Sequence, residues 1–296
     1  MQIFESKTLK SLINYLKLMR ISHYIKNTLV FLPLFFGGQV FYQEKILKTG
    51  LLFISFCVVS SIVYIINDIC DLEKDRNHPV KCNRPLASGA VSIKSSIFLI
   101  VILFSIAIVC NLLTFDWISS SILLIYLLLN LGYSLSWKNI PILDIAILVS
   151  GFILRLVCGA IVTQIALSGW LFLTVLVASM YFALVKRKNE FQKHNLSTRA
   201  VLKKYPIEFL DKSSTMCLTM INIFYALWSM ERSSLSSKNS SYMLYTTPLV
   251  LFITLRYVMV VESDSEGDPI DVLMHDKFLL IMLFIYVAIV SVLLYF

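Results

Sequence analysis

The chain has little charge. Of its 296 residues only 15% are Asp, Glu, Lys or Arg, against about 25% in an ordinary soluble domain, while 58% are hydrophobic and the mean hydropathy is +0.79. That excludes a soluble globular protein. Glycine (9 residues) and proline (7) are too scarce for collagen-like repeats or a low-complexity chain, and the abundance of apolar side chains excludes disorder. The six cysteines (Cys57, Cys70, Cys82, Cys110, Cys158, Cys217) stand singly, mostly inside apolar runs, and none forms a C-x-x-C pair. They read as small apolar packing residues rather than a zinc site or a disulfide framework. No signal-peptide pattern precedes the first long apolar run, so the first span is expected to be retained. No stripe of basic and aromatic residues lies outside the apolar runs, which argues against nucleic acid as a partner.

Long apolar runs are what the chain does have. A spanning helix needs about 20 mostly apolar residues. Windows near 27–43, 49–68, 92–114, 117–135, 141–163, 168–185, 214–230, 242–261 and 277–295 meet that need. They are too long and continuous for the short alternating strands of a barrel, so the expected fold is all-α: nine transmembrane helices in one bundle, a single domain over 1–296. With this layout, 21 of the 26 Lys and Arg fall in the N-terminal segment and the loops on its side, four (Lys45, Lys48, Arg232, Lys238) fall on the other side, and Arg155 lies inside a span. The bias predicts a multi-pass protein of the cell's inner (plasma) membrane with a cytoplasmic N-terminus. Part of the net charge of +8 therefore serves topology and attraction to anionic lipid.

One loop mixes the signs in an ordered way. Residues 64–89 read YIINDICDLEKDRNHPVKCNRPLASG. If the second helix continues past its apolar part, Asp68, Asp71 and Asp75 fall within about 60° of one another, with Asn67 beside them. Carboxylates so placed repel one another and face the negative end of the helix dipole, an arrangement that makes sense when a cation is expected. Oxygen ligands suit a hard ion, and Mg²⁺ takes one or two carboxylates together with substrate phosphates. A solvated helix end, its acids paired with Lys74, Arg76 and Lys81, is the plainer alternative. Arg76, Lys81 and Arg84 follow directly, and cations beside a metal site are what a diphosphate requires. His78 reads as a loop-packing residue rather than a base. Arg155 costs roughly 2.5–3.5 kcal/mol to insert in a span and is a functional candidate for that reason, although an ion pair with Asp144 would also account for it.

The run NDICDLEKD matches the N-D-x-x-D-x-x-x-D signature of the intramembrane UbiA-type prenyltransferase superfamily. Within that superfamily DRNHPVKCNRPLASG resembles the branch that includes bacterial decaprenyl-phosphate phosphoribosyltransferases. RISHYIKNTLVFLPLFF, which contains Lys26, is similar to that branch's opening segment. YSLSWKNIPILD resembles the superfamily pattern through Tyr133, Lys138 and Asp144, and GFILRLVCG places Arg155 where the branch has an intramembrane arginine. Prenyl-diphosphate users in the superfamily carry a second Asp-rich motif after the sixth span. Here that place reads LVKRKNEF, with Lys186, Arg187 and Glu190 replacing an all-acid cluster as the branch does, although positive-inside anchoring would explain the two cations equally well. The acidic last loop contains GDPIDVLMHDKFL, which resembles the branch's stretch before its final span and singles out Asp271 and Asp276.

The resemblance implies transfer of 5-phosphoribosyl from phosphoribosyl diphosphate to a polyprenyl phosphate, in cell wall biosynthesis, with Mg²⁺ held by Asn67, Asp68, Asp71 and Asp75. Lys81 and Arg84 would assist the leaving diphosphate, and Lys186, Arg187 and Arg155 would hold the lipid's phosphate. Two other classes stay open. One is a prenyltransferase acting on prenyl diphosphate and an aromatic or haem acceptor. The other is a transporter or lipid-binding protein, against which stand the surface position of the acids and the absence of an inverted repeat. A homo-oligomer is left open by the sequence.

Overall fold

The computed structural model describes residues 2–114, 116–193, 201–234, 240–263, 272 and 276–296. It is 86% helical and contains no strand among the described residues. The order is α1 (Gln2–Met19), a 3-10 stretch (Ile21–Phe31), α2 (Leu32–Phe36), α3 (Gln43–Cys70), α4 (Leu72–Arg76), α5 (Ile93–Thr114), α6 (Trp117–Leu135), α7 (Leu143–Thr163), α8 (Gly169–Lys193), α9 (Ile207–Ser234), α10 (Thr247–Ser263) and α11 (Lys277–Tyr295). Seven segments among the described residues are long and apolar enough to cross a membrane: α3, α5, α6, α7, α8, α11, and α10 together with the 3-10 turn before it (Tyr242–Ser263).

The two remaining windows differ from expectation for physical reasons. Over 27–43 the chain forms the 3-10 stretch and the five-residue α2, and it turns at Gly38 with φ +69, a backbone conformation that glycine adopts without steric cost. Helix α9 covers 214–230 and is long enough, at 28 residues, but Thr215, Thr219, Asn222 and Glu231 dilute its apolar character. Local signals set several ends. Asp116 caps α6, its carboxylate accepting from the Ile118 amide at 3.1 Å and from the Ser119 hydroxyl. Pro206 precedes α9, and Pro248 sits in the first turn of α10, where its missing N–H costs nothing.

The chain forms two compact units, with α7 running from one into the other. The first comprises Met1–Leu34, Val40–Trp137 and Leu154–Gln164. Helix α3 is its centre, with 67% of its apolar window enclosed by protein, and Phe56, Ile62 and Ile65 pack there with Leu18, Leu103 and Tyr126. Gly159 of α7 lies so close to the 3-10 stretch that a Cβ on it would come 2.2 Å from the Val30 carbonyl oxygen, so only glycine permits this approach. The second unit comprises Phe35–Gln39, Lys138–Ile153 and Ile165–Phe296. Val185, Leu210, Cys217 and Leu279 pack in its larger core and Leu171, Trp228 and Met243 in its smaller one. Only 11% of the α11 window is covered, the surface expected of a helix in contact with lipid.

Candidate active site

In the first unit, α3 breaks for one residue, Asp71 (φ −95, ψ 9), and resumes as α4. The helical bonding carries across the break, with the Asp71 amide donating to Asn67 O at 2.9 Å and the Asp75 amide to Asp71 O at 2.8 Å. The four oxygen-bearing residues therefore keep their helical spacing. Asp68 and Asp75 turn inward, with side chains only 3% and 5% exposed. Asp71 stays on the outer side, 3.9 Å from Lys74 Nζ.

One guanidinium joins the inner pair. Arg84 Nη1 donates to Asp68 Oδ1 at 3.0 Å and to Asp75 Oδ2 at 2.6 Å. Asp68 Oδ1 accepts a second charged bond, from Arg20 Nη2 at 2.5 Å, and Arg20 stacks over the Tyr64 ring at 4.7 Å. Arg20 itself has left-handed backbone angles (φ 53, ψ 52), a sparsely allowed region that a non-glycine residue keeps only when its surroundings hold it there. Sequence reasoning singled out Arg84 but not Arg20, whose partner lies 48 residues away. Its only signal was a basic residue inside the segment that resembles the branch's opening.

The other candidates of this unit take separate places. Lys81 begins a short 3-10 turn (Lys81–Asn83). His78 Nδ1 accepts from the Val80 and Lys81 amides at 3.2 and 3.3 Å, the loop-packing role expected of it. Lys26 Nζ lies 3.5 Å from His23 Nδ1, and Tyr133 is half-buried near the end of α6. Arg155 is buried. Its Nε donates to Asn27 Oδ1 at 2.7 Å, its Nη2 donates to the Tyr126 hydroxyl at 2.9 Å, and its guanidinium carbon stands 4.6 Å from the Tyr126 ring centre and 5.3 Å from that of Phe56.

In the second unit Asp144, the acid that the sequence offers as an alternative partner for Arg155, instead accepts from Arg187 Nε at 2.8 Å and from the Tyr205 hydroxyl at 2.7 Å. Arg187, 1% exposed, also donates to Glu190 at 3.1 Å. The Tyr205 oxygen accepts in turn from the Ile142 amide at 2.5 Å, at a residue with φ +69. Burial, reinforced by the Asp144 charge and hydrogen bond, holds the Tyr205 phenol protonated well above its usual range. Lys186 is half-buried beside this cluster on α8, and Lys138 lies in the 3-10 turn Trp137–Asn139. Lys188, not among the sequence candidates, ties three helices together through Asp211 and Glu262, both at 2.7 Å. Asp276 caps α11, accepting from the Leu279 amide at 2.7 Å and from Arg256 Nη2 at 2.6 Å. Asp271 lies outside the described residues.

Among the described residues no three acid, His or Cys side chains converge closely enough to hold a metal ion by themselves. The donor chemistry nevertheless fits Mg²⁺. Two buried carboxylates touching one nitrogen, with Asn67 and Asp71 at helical spacing beside them, supply the hard oxygens, and substrate phosphates and water complete such a shell in general.

A helical chain with seven long apolar segments among the described residues, and a buried acid–arginine cluster at the end of one of them, is a multi-pass membrane protein. It belongs to the UbiA prenyltransferase family, whose model matches residues 30–282. It is 32% identical to a decaprenyl-phosphate phosphoribosyltransferase of Corynebacterium glutamicum, over 90% of this chain and 82% of that protein. A decaprenyl-phosphate phosphoribosyltransferase of Mycolicibacterium smegmatis is 28% identical over 95% of this chain and 92% of its own length. In fold, a UbiA homologue from Archaeoglobus fulgidus solved with GPP and Mg²⁺ has a TM-score of 0.71 at 16% identity, covering 95% of this chain and 99% of that one.

Proposed function

We propose that the protein transfers 5-phosphoribosyl from phosphoribosyl diphosphate to a polyprenyl phosphate such as decaprenyl phosphate, releasing diphosphate. The observation that carries this reading is Arg84 bridging Asp68 and Asp75, which puts acids for a divalent cation and a cation for phosphate in one buried cluster. The likeness to two decaprenyl-phosphate phosphoribosyltransferases over at least 90% of the chain selects this donor and acceptor over a prenyl diphosphate and an aromatic ring.

Asn67, Asp68, Asp71 and Asp75 would hold Mg²⁺, whose chemistry when bound is to neutralise charge on a leaving diphosphate. Arg84 and Lys81 bind and orient that diphosphate. Departure at the anomeric carbon creates positive charge on the ribose, and most of the catalysis comes from stabilising the leaving group. The acceptor phosphate is already an anion, so no strong general base is needed. Lys186, Arg187 and Arg155 are assigned to its phosphate, with Glu190 orienting Arg187. Lys26, Tyr133, Lys138, Asp271 and Asp276 are assigned to substrate binding on resemblance. The family match runs through both compact units, which supports reading them as one domain. Nine crossings, with α2 and its flanks and α9 added to the seven apolar segments, a cytoplasmic N-terminus and residence in the plasma membrane complete the reading.

The test is incubation of the purified protein with Mg²⁺, labelled phosphoribosyl diphosphate and decaprenyl phosphate. Lipid-linked phosphoribose is the expected product, and Asp71→Asn is expected to lower its formation at least about tenfold and to raise the Mg²⁺ requirement. No lipid product, or an Asp71→Asn enzyme with unchanged rate and unchanged Mg²⁺ dependence, overturns the donor assignment or the metal assignment respectively.

A further inference from the structure

Asp68 Oδ1 accepts from two guanidiniums at once, at 2.5 Å from Arg20 and 3.0 Å from Arg84. Asp75 Oδ2 accepts from the same Arg84 nitrogen at 2.6 Å. One oxygen of each carboxylate that a divalent cation would use is therefore already held by a guanidinium. The ledger of formal charge is balanced, two carboxylates against two guanidiniums, with both carboxylates nearly fully buried. Adding Mg²⁺ alone would leave this cluster with excess positive charge even when the half-buried Asp71 is counted with the two inner acids, and unbalanced charge in a poorly solvated site is unfavourable. Removing Arg84 without replacement is unfavourable for the same reason, since it takes away the guanidinium that pairs with buried Asp75. A multiply charged diphosphate arriving with the metal resolves both difficulties. Asp68 and Asp75 would then hold the metal, and Arg20 and Arg84, released from them, would donate to the phosphate oxygens, which suit their forked donors.

We propose that Arg20 and Arg84 are exchangeable counterions of Asp68 and Asp75, so that the site captures a divalent cation tightly only together with a diphosphate, the arginines passing from the carboxylates to the phosphates as it enters. The inference rests on reading Asp68 and Asp75 as metal-holding acids. It adds a role for Arg20, whose strained backbone and stacking on Tyr64 keep its guanidinium within reach of Asp68. It also makes the order of capture a property of the arginines rather than of the acids.

The experiment measures Mn²⁺ binding to the full chain in lipid nanodiscs by electron paramagnetic resonance, with and without inorganic diphosphate and against a protein-free diphosphate blank. The wild type is expected to bind Mn²⁺ weakly alone and much more tightly with diphosphate. Arg84→Gln is expected to bind Mn²⁺ alone at least about tenfold more tightly than the wild type, the size of one charge-assisted hydrogen bond, and to lose most of the gain from diphosphate. Arg20→Gln moves in the same direction and carries the comparison if Arg84→Gln does not fold. In either variant Mn²⁺ alone raises the melting temperature more than it does in the wild type. Variants that bind Mn²⁺ alone no more tightly than the wild type, while diphosphate still promotes binding in all of them, overturn the exchange and leave the metal reading standing. A wild type that takes up no Mn²⁺ under either condition removes the metal reading and the exchange with it.

Discussion

Arg155 shows how much a single residue can carry inside an apolar bundle. A guanidinium buried in a span needs directed partners, and its forked geometry lets one side chain meet an amide and a phenol at 2.7 and 2.9 Å while two aromatic faces cover its carbon. Lysine has the charge but not the fork. Arg155→Lys is therefore expected to lower phosphoribosyl transfer by about tenfold or more, since one directed charged hydrogen bond is worth roughly 1.5–3 kcal/mol. Tyr126→Phe keeps the ring under the guanidinium and removes only the hydroxyl, so its loss is smaller. If Arg155 meets the lipid's phosphate, both changes raise KM for decaprenyl phosphate with less effect on kcat. Initial rates at varied lipid concentration, beside melting curves on the same preparations, separate that outcome from a general loss of folded protein.

At the scale of elements, the acid-bearing end of α3 was readable from spacing alone, because a helix fixes which residues share a face and the i to i−4 bonds continue through Asp71. The contact between Arg20 and Asp68 was not readable. Arg20 stands at the N-cap of the 3-10 stretch, whose end hydropathy counts as part of an ordinary span and whose close approach to Gly159 at Val30 no local sequence signal reveals. The tie of Lys188 to Asp211 and Glu262 was hidden for the same reason, since it joins three helices whose rotations no local pattern reports. Asp276 stands between these cases. The sequence marks it as a loop acid beside a span, and the structure makes it the cap of α11 and the partner of Arg256. The Leu279 amide, then Arg256, holds its carboxyl below the usual carboxylate range. A carboxyl whose pKa is lower folded than unfolded contributes stability that is complete above its unfolded value near 3.9 and is lost as the pH falls through the folded value. Asp276→Ala should therefore cost about 1 kcal/mol at neutral pH, as helix caps do. The gap between wild type and variant should stay constant from about pH 8 to pH 5 and close only below about pH 4, as read from thermal melts in detergent across that range.

For the whole molecule, a small charge fraction has been sorted more sharply than composition suggests. Cations and acids that look interchangeable in a count end in distinct clusters, Arg20 and Arg84 with Asp68 and Asp75 in one unit, and Arg187 with Asp144 and Glu190 in the other. The proposed orientation rests on the distribution of the other Lys and Arg between the two sides, and the native thiols can report it. Cys57, Cys110, Cys158 and Cys217 are buried, while Cys70 is exposed and Cys82 half-buried in the loop that follows the acid motif. On the proposed nine crossings with a cytoplasmic N-terminus, that loop would face the cytoplasm and Phe296 would face outward. A membrane-impermeant maleimide should label Cys82 in inside-out vesicles and not in right-side-out ones. Phe296→Cys in a Cys70→Ser, Cys82→Ser background should give the opposite pattern. Labelling of both sites from the same side would mean an even number of crossings between Cys82 and Phe296, and the helix to remove from the count would be α9, the one between them that is less apolar than the other six.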